Sequence, residues 1–302
     1  MNGFDEKLRF GLHMLIKNTG LFITEYNEGD DPERAVYNLG RQGLECFADP
    51  EEFCRMIASD EENRLHSFSI TDNRDVGNRL REAGTGFAAY INPLSRREFF
   101  GDALYMTDNV CDLKAFDINR FLLRYLRLPW EIAETERCLV REITEEDTDE
   151  LYKIYADPGI SRYTEGLFED REKEREYIRE YINNQYRFFE HGIWLILDRA
   201  SKRAIGRAGF EYRAGFDDPE LGYVIAAEYQ RKGYAFEVCS KLLEYAAKQL
   251  GFCSINAFTV KENTASVRLL RKLGFERREE IMIDGKAHER YNIKVKGEMN
   301  DL

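Results

Sequence analysis

No CxxC pair occurs in this chain, and its 4 histidines stand at no metal-ligand spacing from its 6 cysteines (Cys46, Cys54, Cys111, Cys138, Cys239 and Cys253). That pattern argues against a zinc ribbon or a dithiol redox motif and predicts reduced thiols, several of them in the core, with no metal. No uncharged apolar run approaches the roughly 20 residues of a membrane-spanning helix, so no membrane segment is expected. The opening residues, MNGFDEKLRF, are acidic and polar with no apolar stretch of signal-peptide type, and the expected location is cytoplasmic. Basic charge is in deficit: 44 Lys and Arg against 56 Asp and Glu leave a formal net charge of -12. Nucleic-acid binding by phosphate neutralisation is therefore disfavoured, and a cationic partner is weakly favoured.

What is present suffices for two cores: 302 residues, 43% hydrophobic and 13% aromatic. A break is readable near Leu128-Pro129-Trp130, where proline ends an amphipathic helix carrying Phe121, Leu122, Tyr125 and Leu126 on one side. The charged stretch EIAETER that follows reads as a linker. Before it, in residues 1–130, helical spacing is expected over 4–16 (through Leu8, Leu12 and Leu15), over about 33–47 and over 50–57. Three short apolar runs at 66–71, 86–91 and 102–107 read as strands, the first two joined by helix-like NRDVGNRLREAG. Strand and helix in alternation predict a small Rossmann-like α/β domain with parallel connections.

Residues 137–295 read more clearly. CLVREI is a strand and EEDTDELYKIYA a helix, after which REKEREYIREYINNQYRFF sets Ile178, Ile182, Tyr186 and Phe189 on one face. GIWLILD and AIGRAGFEYR form a hairpin across RASKR, and ELGYVIA is a further strand. A helix with Val238, Leu242, Ala246 and Leu250 on one face precedes the strand SINAFTV. ASVRLLRKLG is a helix ending at Gly274, and two last strands flank Ile283-Asp284-Gly285-Lys286. The expected architecture is mixed α/β, with antiparallel strands on either side of a central βαβαβ unit.

Between ELGYVIA and its helix lie Gln230, Arg231, Lys232, Gly233, Tyr234 and Ala235. Several backbone N–H groups turn toward one point here; Gly233 lets the backbone approach a ligand and small Ala235 leaves the way open. The helix N-terminus adds unpaired donors and partial positive charge, which suit a pyrophosphate, and Arg231 and Lys232 add full charges. Alone, the pattern equally describes an ordinary strand–glycine–helix connection. After SINAFTV, Asn263 is a favoured helix N-cap and Gly274 a helix-terminating residue, so this segment also has an ordinary structural meaning by itself. Together, one helix and one strand apart, the two segments resemble the GNAT superfamily of acetyltransferases, and within it the RimJ/RimL-type branch. The R/Q-x-x-G-x-G/A signature corresponds to Gln230, Gly233 and Ala235. The Asn-x-x-Ser, leucines and Lys-Leu-Gly-Phe correspond to Asn263, Ser266, Leu269, Leu270 and residues 272–275. The resemblance covers slightly more than half of the chain.

The resemblance implies a GNAT fold with a mixed central sheet, acetyl-CoA as cosubstrate, and direct attack on it by a primary amine of a protein N-terminus or a small molecule. It implies a fourth strand that bulges and splays from the fifth. Backbone groups of Tyr223, Val224 and Ile225 would pair with the pantetheine, one of their N–H groups stabilising the oxyanion. Residues 231–235 would hold the pyrophosphate, Asn263 would bond the pantetheine, and Ser266 would sit near the sulfur. Glu220 is the candidate base through water, beside its plain reading as a strand-end carboxylate; Glu211 is the alternative, and Glu237 reads as structural. An α-amine titrates at about 7.7–8.0 and lysine near 10.4, so a base matters more for lysine. Many members place a tyrosine seven residues after the asparagine, where this chain has Leu270. The general acid then falls to Ser266 or water, or none is needed. The acceptor pocket would draw on residues 160–168 and 281–290, including Arg162, Tyr163, Glu165, His288 and Glu289.

The first part faintly resembles the haloacid dehalogenase superfamily, which needs an Asp-x-Asp at the end of its first strand around Mg²⁺. Here SITD continues as Asp72-Asn73-Arg74-Asp75, with the wrong spacing, so a degenerate domain is expected rather than a phosphatase. Two other functions stand beside the enzyme. One is a noncatalytic acyl-CoA-binding regulatory module; the other is a bifunctional phosphatase–acetyltransferase, which the missing Asp-x-Asp disfavours.

Overall fold

In the computed structural model, which describes residues 15–93, 95, 103, 105–164 and 166–295, the chain divides after Trp130 into units Met1–Trp130 and Glu131–Leu302. Among the described residues the first unit has strands β1 (Asn18–Phe22), β2 (Glu45–Phe47), β3 (Ser67–Thr71), β4 (Gly86–Tyr90) and β5 (Tyr105–Thr107). They form a parallel sheet in the order β2-β1-β3-β4-β5, which is Rossmann-like. Helices α1 (Pro32–Arg41), α2 (Pro50–Ser59), α3 (Glu61–Leu65), α4 (Arg74–Glu82) and α5 (Ala115–Tyr125) connect and cover it. Asp31, Asp49 and Asn73 accept the first free N–H groups of α1, α2 and α4, and proline opens α1 and α2 where no N–H needs a partner. Phe22, Phe53, Ile57, Leu80 and Phe87 form one core cluster.

Several expectations are corrected in this unit. Residues 4–14 of the first expected helix lie outside the described residues, while Leu15 and Ile16 are not helical and lead into β1, a strand absent from the sequence reading. Its start is polar, yet Asn18 and Thr19 are buried, and Asn18 Nδ2 donates to Ser67 Oγ of β3 at 3.2 Å. The helix read over 33–47 stops at Arg41; Gly43, at a φ of 91°, turns the chain and residues 45–47 become β2. The chain's first described strand ends at Phe22 and is followed by Ile23-Thr24-Glu25, with no Asp-x-Asp. Asp72, after β3, is buried and accepts the N–H groups of Thr24 and Glu25 and Nδ2 of Asn92. That carboxylate ties together the loops after β1, β3 and β4, and Asp75 lies apart in α4.

The second unit begins with β6 (Glu131–Glu134) and β7 (Cys138–Arg141), then α6 (Thr148–Tyr155), α7 (Pro158–Ser161) and α8 (Arg171–Tyr181). The stretch EIAE is thus an edge strand, with Ile132 and Ala133 buried, rather than a linker. A π-helical turn over Ile182–Tyr186 leads into α9 (Arg187–Phe189). This wider turn shifts the helical phase. Ile178 and Tyr186 stay buried while Phe189, expected on the same face, is exposed. There follow β8 (Ile193–Asp198), β9 (Ala204–Glu211), β10 (Glu220–Ile225), α10 (Tyr234–Lys248), β11 (Ser254–Thr259), α11 (Thr264–Lys272), β12 (Glu276–Ile283) and β13 (Lys286–Lys294). The sheet order is β12-β13-β11-β10-β9-β8-β7-β6; β10 and β11 are parallel and the other neighbours antiparallel. Leu151, Ile154 and Ile178 pack with Leu195 and Leu197 in one cluster. Trp194 packs edge-on against Phe210 and against Tyr245 of α10, and Val238, Leu242 and Ala246 are fully buried.

Candidate active site

β10 pairs with β9 along its whole length, from Glu220 opposite Glu211 to Ile225 opposite Gly206, but meets β11 only at Glu220 opposite Asn256. Asn256 builds that single contact. Fully buried, it donates its N–H to the carbonyl of Pro219 (2.7 Å) and Nδ2 to that of Asp218 (3.2 Å). Its Oδ1 accepts from Arg290 Nε and Asn292 Nδ2, both at 3.0 Å. A satisfied buried polar network specifies one arrangement, and here it sets the point where the strands part. Beyond it opens a cleft of about 560 Å³, lined by residues 220–224 of β10, residues 257–260 after the contact, and Asn263, Ser266 and Leu270 of α11 and its cap. The expected splay is present. The expected bulge is not: the β9–β10 register runs without a shift, and the irregularity lies one strand away, between Ile196 and Leu197.

The same register decides which backbone groups face the opening. Ala226 N–H donates to the carbonyl of Ile205 at 2.8 Å, continuing the β9–β10 ladder by one pair. Antiparallel pairs alternate, so Glu220, Gly222 and Val224 spend their N–H and C=O on β9, while Leu221, Tyr223 and Ile225 turn theirs to the other edge. The Ile225 carbonyl accordingly accepts from Gln230 Nε2 at 2.9 Å. Of the expected trio, Tyr223 and Ile225 turn main-chain groups to that edge; Val224 spends its own on β9, though it is among the residues lining the cleft.

Glu220 lines the cleft and accepts from Arg213 Nε at 2.7 Å. Burial pushes its carboxyl above the ordinary glutamate value and Glu211 adds to this, while Arg213 holds part of the rise back. Glu211, directly across on β9, accepts from the Tyr181 hydroxyl at 2.6 Å and is absent from the cleft lining. At the opposite wall, the Tyr223 hydroxyl and Ser266 Oγ lie 2.6 Å apart. Burial raises the Tyr223 phenol above its usual range, so it keeps its proton at neutral pH. Asn263 caps α11, its Oδ1 accepting the Ser266 N–H at 3.2 Å. Leu270 is buried against the cleft and brings no hydroxyl.

Residues 230–235 stand beyond the far end of β10, after a 3₁₀ turn over Ala227–Tyr229, and do not line the cleft themselves. Arg231 (φ 59°) and Gly233 (φ 89°) are both left-handed, so successive amides turn out of the usual progression just before α10. Such concave runs of N–H groups at a helix start bind anions. One residue outside the motif holds the loop in place. Arg137 donates Nη1 to the Lys232 carbonyl (3.0 Å), lies 4.2 Å from the Tyr234 ring centre, and donates its N–H and Nε to Glu237 (2.9 and 2.7 Å). Burial opposes the charge of Glu237, but Thr135 and Arg137 outweigh it and keep the carboxyl below the usual range. Glu237 is thus a clamp. Arg137 lies 100 positions away in sequence, and no local pattern marks it.

Of the residues expected around an acceptor, Arg162, Tyr163 and His288 line the cleft. Glu289 is turned to Arg277 and Tyr291, and Glu165 lies outside the described residues. Arg207 of β9 and Tyr155 of α6, which the sequence reading did not name, also line it.

Residues 137–276 match the family model of the acetyltransferase (GNAT) domain. The chain is 35% identical over 153 residues to the uncharacterized N-acetyltransferase YoaA of Bacillus subtilis (strain 168), covering 48% of this chain and 83% of that protein. It is 30% identical over 149 residues to the uncharacterized N-acetyltransferase p20 of Bacillus licheniformis, covering 49% of this chain and 83% of the relative. Among solved structures, an acetyltransferase of the GNAT family from Bacillus anthracis aligns over 54% of this chain and 97% of its own, at 24% identity and a TM-score of 0.47. Through its second unit, therefore, the chain belongs to the GNAT acetyltransferases, enzymes that transfer an acetyl group from acetyl-CoA to an amine.

Proposed function

We propose that the edge of β10 receives the acyl–pantetheine arm of acetyl-CoA, that residues 230–235 hold its diphosphate, and that the amine enters from the side of Glu220. The observation that carries this reading is the single-pair contact of β10 with β11, which leaves the main-chain groups of Tyr223 and Ile225 without a strand partner on that edge. The left-handed pair Arg231 and Gly233 ahead of α10 supports the diphosphate site, with Lys232, Tyr234 and Ala235 completing the turn. Bound there, the coenzyme supplies a thioester for attack.

The residues of the chain then move the protons. Glu220, with its raised pKa, takes one from the amine, directly or through a water, as nitrogen bonds to the acyl carbon. The Tyr223 N–H lies past the last β10–β11 pair and is the donor for the developing oxyanion. As the carbon–sulfur bond breaks, the Tyr223–Ser266 hydroxyl pair returns a proton to the thiolate, the role Leu270 cannot fill. Asn263 fixes Ser266 by capping its helix and faces the pantetheine.

The acceptor is a primary amine on a small molecule or a protein N-terminus, not a nucleic acid or a membrane. We assign the protein to the cytoplasm: its described cysteines are free thiols, and no described helix is long and apolar enough to cross a membrane. We treat residues 1–130 and 137–295 as two domains, the first a degenerate Rossmann-like companion. Release of free CoA thiol from acetyl-CoA, followed with a panel of primary amines alongside calorimetric binding, tests the reading. Turnover that requires Glu220 is expected; tight binding with no turnover for any amine would overturn it in favour of a noncatalytic acyl-CoA module.

A further inference from the structure

The charge lining the cleft runs against that of the whole protein. Its described residues include the cations Arg162, Arg207, Arg213 and Lys286 and the carboxylates Glu220 and Asp284. Arg213 is paired with Glu220, and Lys286 is offset by Asp284 two residues away in the same turn. Arg162 and Arg207 remain, with no ion pair to either among the described residues.

Arg207 is the unusual member. It stands on β9 opposite Val224, in a strand otherwise made of small and apolar side chains up to Glu211. Its Nη2 donates to the Tyr155 hydroxyl at 2.8 Å, and its guanidinium carbon lies 5.1 Å from the Tyr155 ring centre. Its Nε is buried without a partner. Burial works against its charge, but Tyr155, Tyr186 and Glu174 outweigh it, so the group stays a cation. Glu174 acts only at a distance: its Oε2 accepts from the Phe168 N–H, and it makes no ion pair with Arg207. Arg207 is half-buried and lines the cleft, and of the five N–H donors in its planar fork only one bond, from Nη2, is made, which leaves Nη donors for a ligand.

We propose that Arg207, presented on Tyr155 at the wall of the cleft, binds an oxyanion carried by the acceptor, so that the substrate is an amine that also bears a carboxylate or a phosphate. The fork of Arg207 matches two oxygens of such a group side by side. With Arg162 at the rim, it makes the cleft favour an amino acid or amino phosphate over a polyamine. This inference rests on the acetyl-transfer reading above and adds the class of acceptor to it.

The test compares acceptors matched in everything but the anion, using the full-length enzyme, acetyl-CoA and release of CoA thiol. The pairs are leucine against leucinamide and ethanolamine phosphate against ethanolamine, with spermidine as a polycation. A charge-assisted hydrogen bond contributes enough for the anionic member of one pair to lead by roughly 10- to 100-fold in kcat/KM. The pair showing that lead separates carboxylate from phosphate. Arg207→Met should bring the ratio to about 1, and Arg207→Lys should keep part of it. If Arg207→Met does not fold, Tyr155→Phe, which removes only the supporting hydroxyl, should lower the ratio while leaving KM for acetyl-CoA unchanged. Equal rates within both pairs, or a preference for spermidine, would overturn the proposal while acetyl transfer stands. No turnover with any of the five amines would overturn the proposal too, and the transfer reading falls with it only if acetyl-CoA binds tightly and peptide N-termini are also left unacetylated.

Discussion

Tyr223→Phe keeps the aromatic ring and removes one atom, the hydroxyl that lies 2.6 Å from Ser266 Oγ. Packing is preserved, so the stability cost is that of one hydrogen bond, about 0.5–1.5 kcal/mol. The catalytic cost is larger if the pair delivers the proton to the departing thiolate. General acids contribute on the order of 10²–10⁴ in rate. A thiol with a pKa near 8.5 already leaves fairly well at neutral pH, so the lower end applies. A loss of about 100-fold in kcat corresponds to about 2.7 kcal/mol of transition-state stabilisation. Because Tyr223 and Ser266 act as one donor, Ser266→Ala should cost a similar factor and the double variant little more than either. The assay is steady-state CoA release for the parent, both single variants and the double, with acetyl-CoA binding measured in parallel to show that KM effects are small. Both single variants turning over within twofold of the parent would refute the relay and leave the thiolate to depart unprotonated.

Three further predictions concern the rest of the site. Since burial raises the carboxyl of Glu220 and its ionised form is the base, kcat/KM should fall as pH drops through an apparent pKa above that of an ordinary glutamate. Glu220→Gln should abolish that limb in a pH–rate profile and lower kcat by roughly 100-fold or more. Gly233→Val forces a β-branched residue to a φ of 89°, at a cost of roughly 1–2 kcal/mol, and should weaken acetyl-CoA about tenfold in a calorimetric titration while leaving the fold intact by circular dichroism. Asn256→Leu strips partners from Asp218, Arg290 and Asn292 and should cost at least roughly 1–3 kcal/mol in urea denaturation; an unchanged midpoint would mean that the network does not set the splay.

The parts of the fold legible in the sequence are those where one rule acts locally. The short apolar runs ELGYVIA and SINAFTV and the capping of the helix after Asn263 are local signals, and the strands and helix stand where they were read. β1 escaped because its first residues are polar, and only the distant Ser67 makes a buried Asn18 acceptable. β6 escaped because an edge strand carries charge at its less buried ends, as Glu131 and Glu134 do, and so resembles a linker. The phase of the helix before β8 was misread at Phe189 because a π turn has no clear sequence mark.

The site divides in the same way. The loop after Gln230 and the cap at Asn263 announce themselves by spacing, whereas the Arg137–Glu237 clamp joins residues 100 apart and the Asn256 network joins two strands and a loop. Tyr223 was read for its backbone alone, since nothing in the sequence tells that its hydroxyl meets Ser266. Arg207 did leave a trace: a lone cation amid Gly, Ala and Ile in a strand with buried neighbours on both sides.

The most direct trial of the whole account is a crystal structure of the protein with CoA bound. The diphosphate oxygens should lie within hydrogen-bond distance of the backbone N–H groups between Arg231 and Ala235, with the pantetheine running along the Tyr223 and Ile225 edge of β10. A coenzyme bound with its phosphates elsewhere and that edge untouched would contradict it.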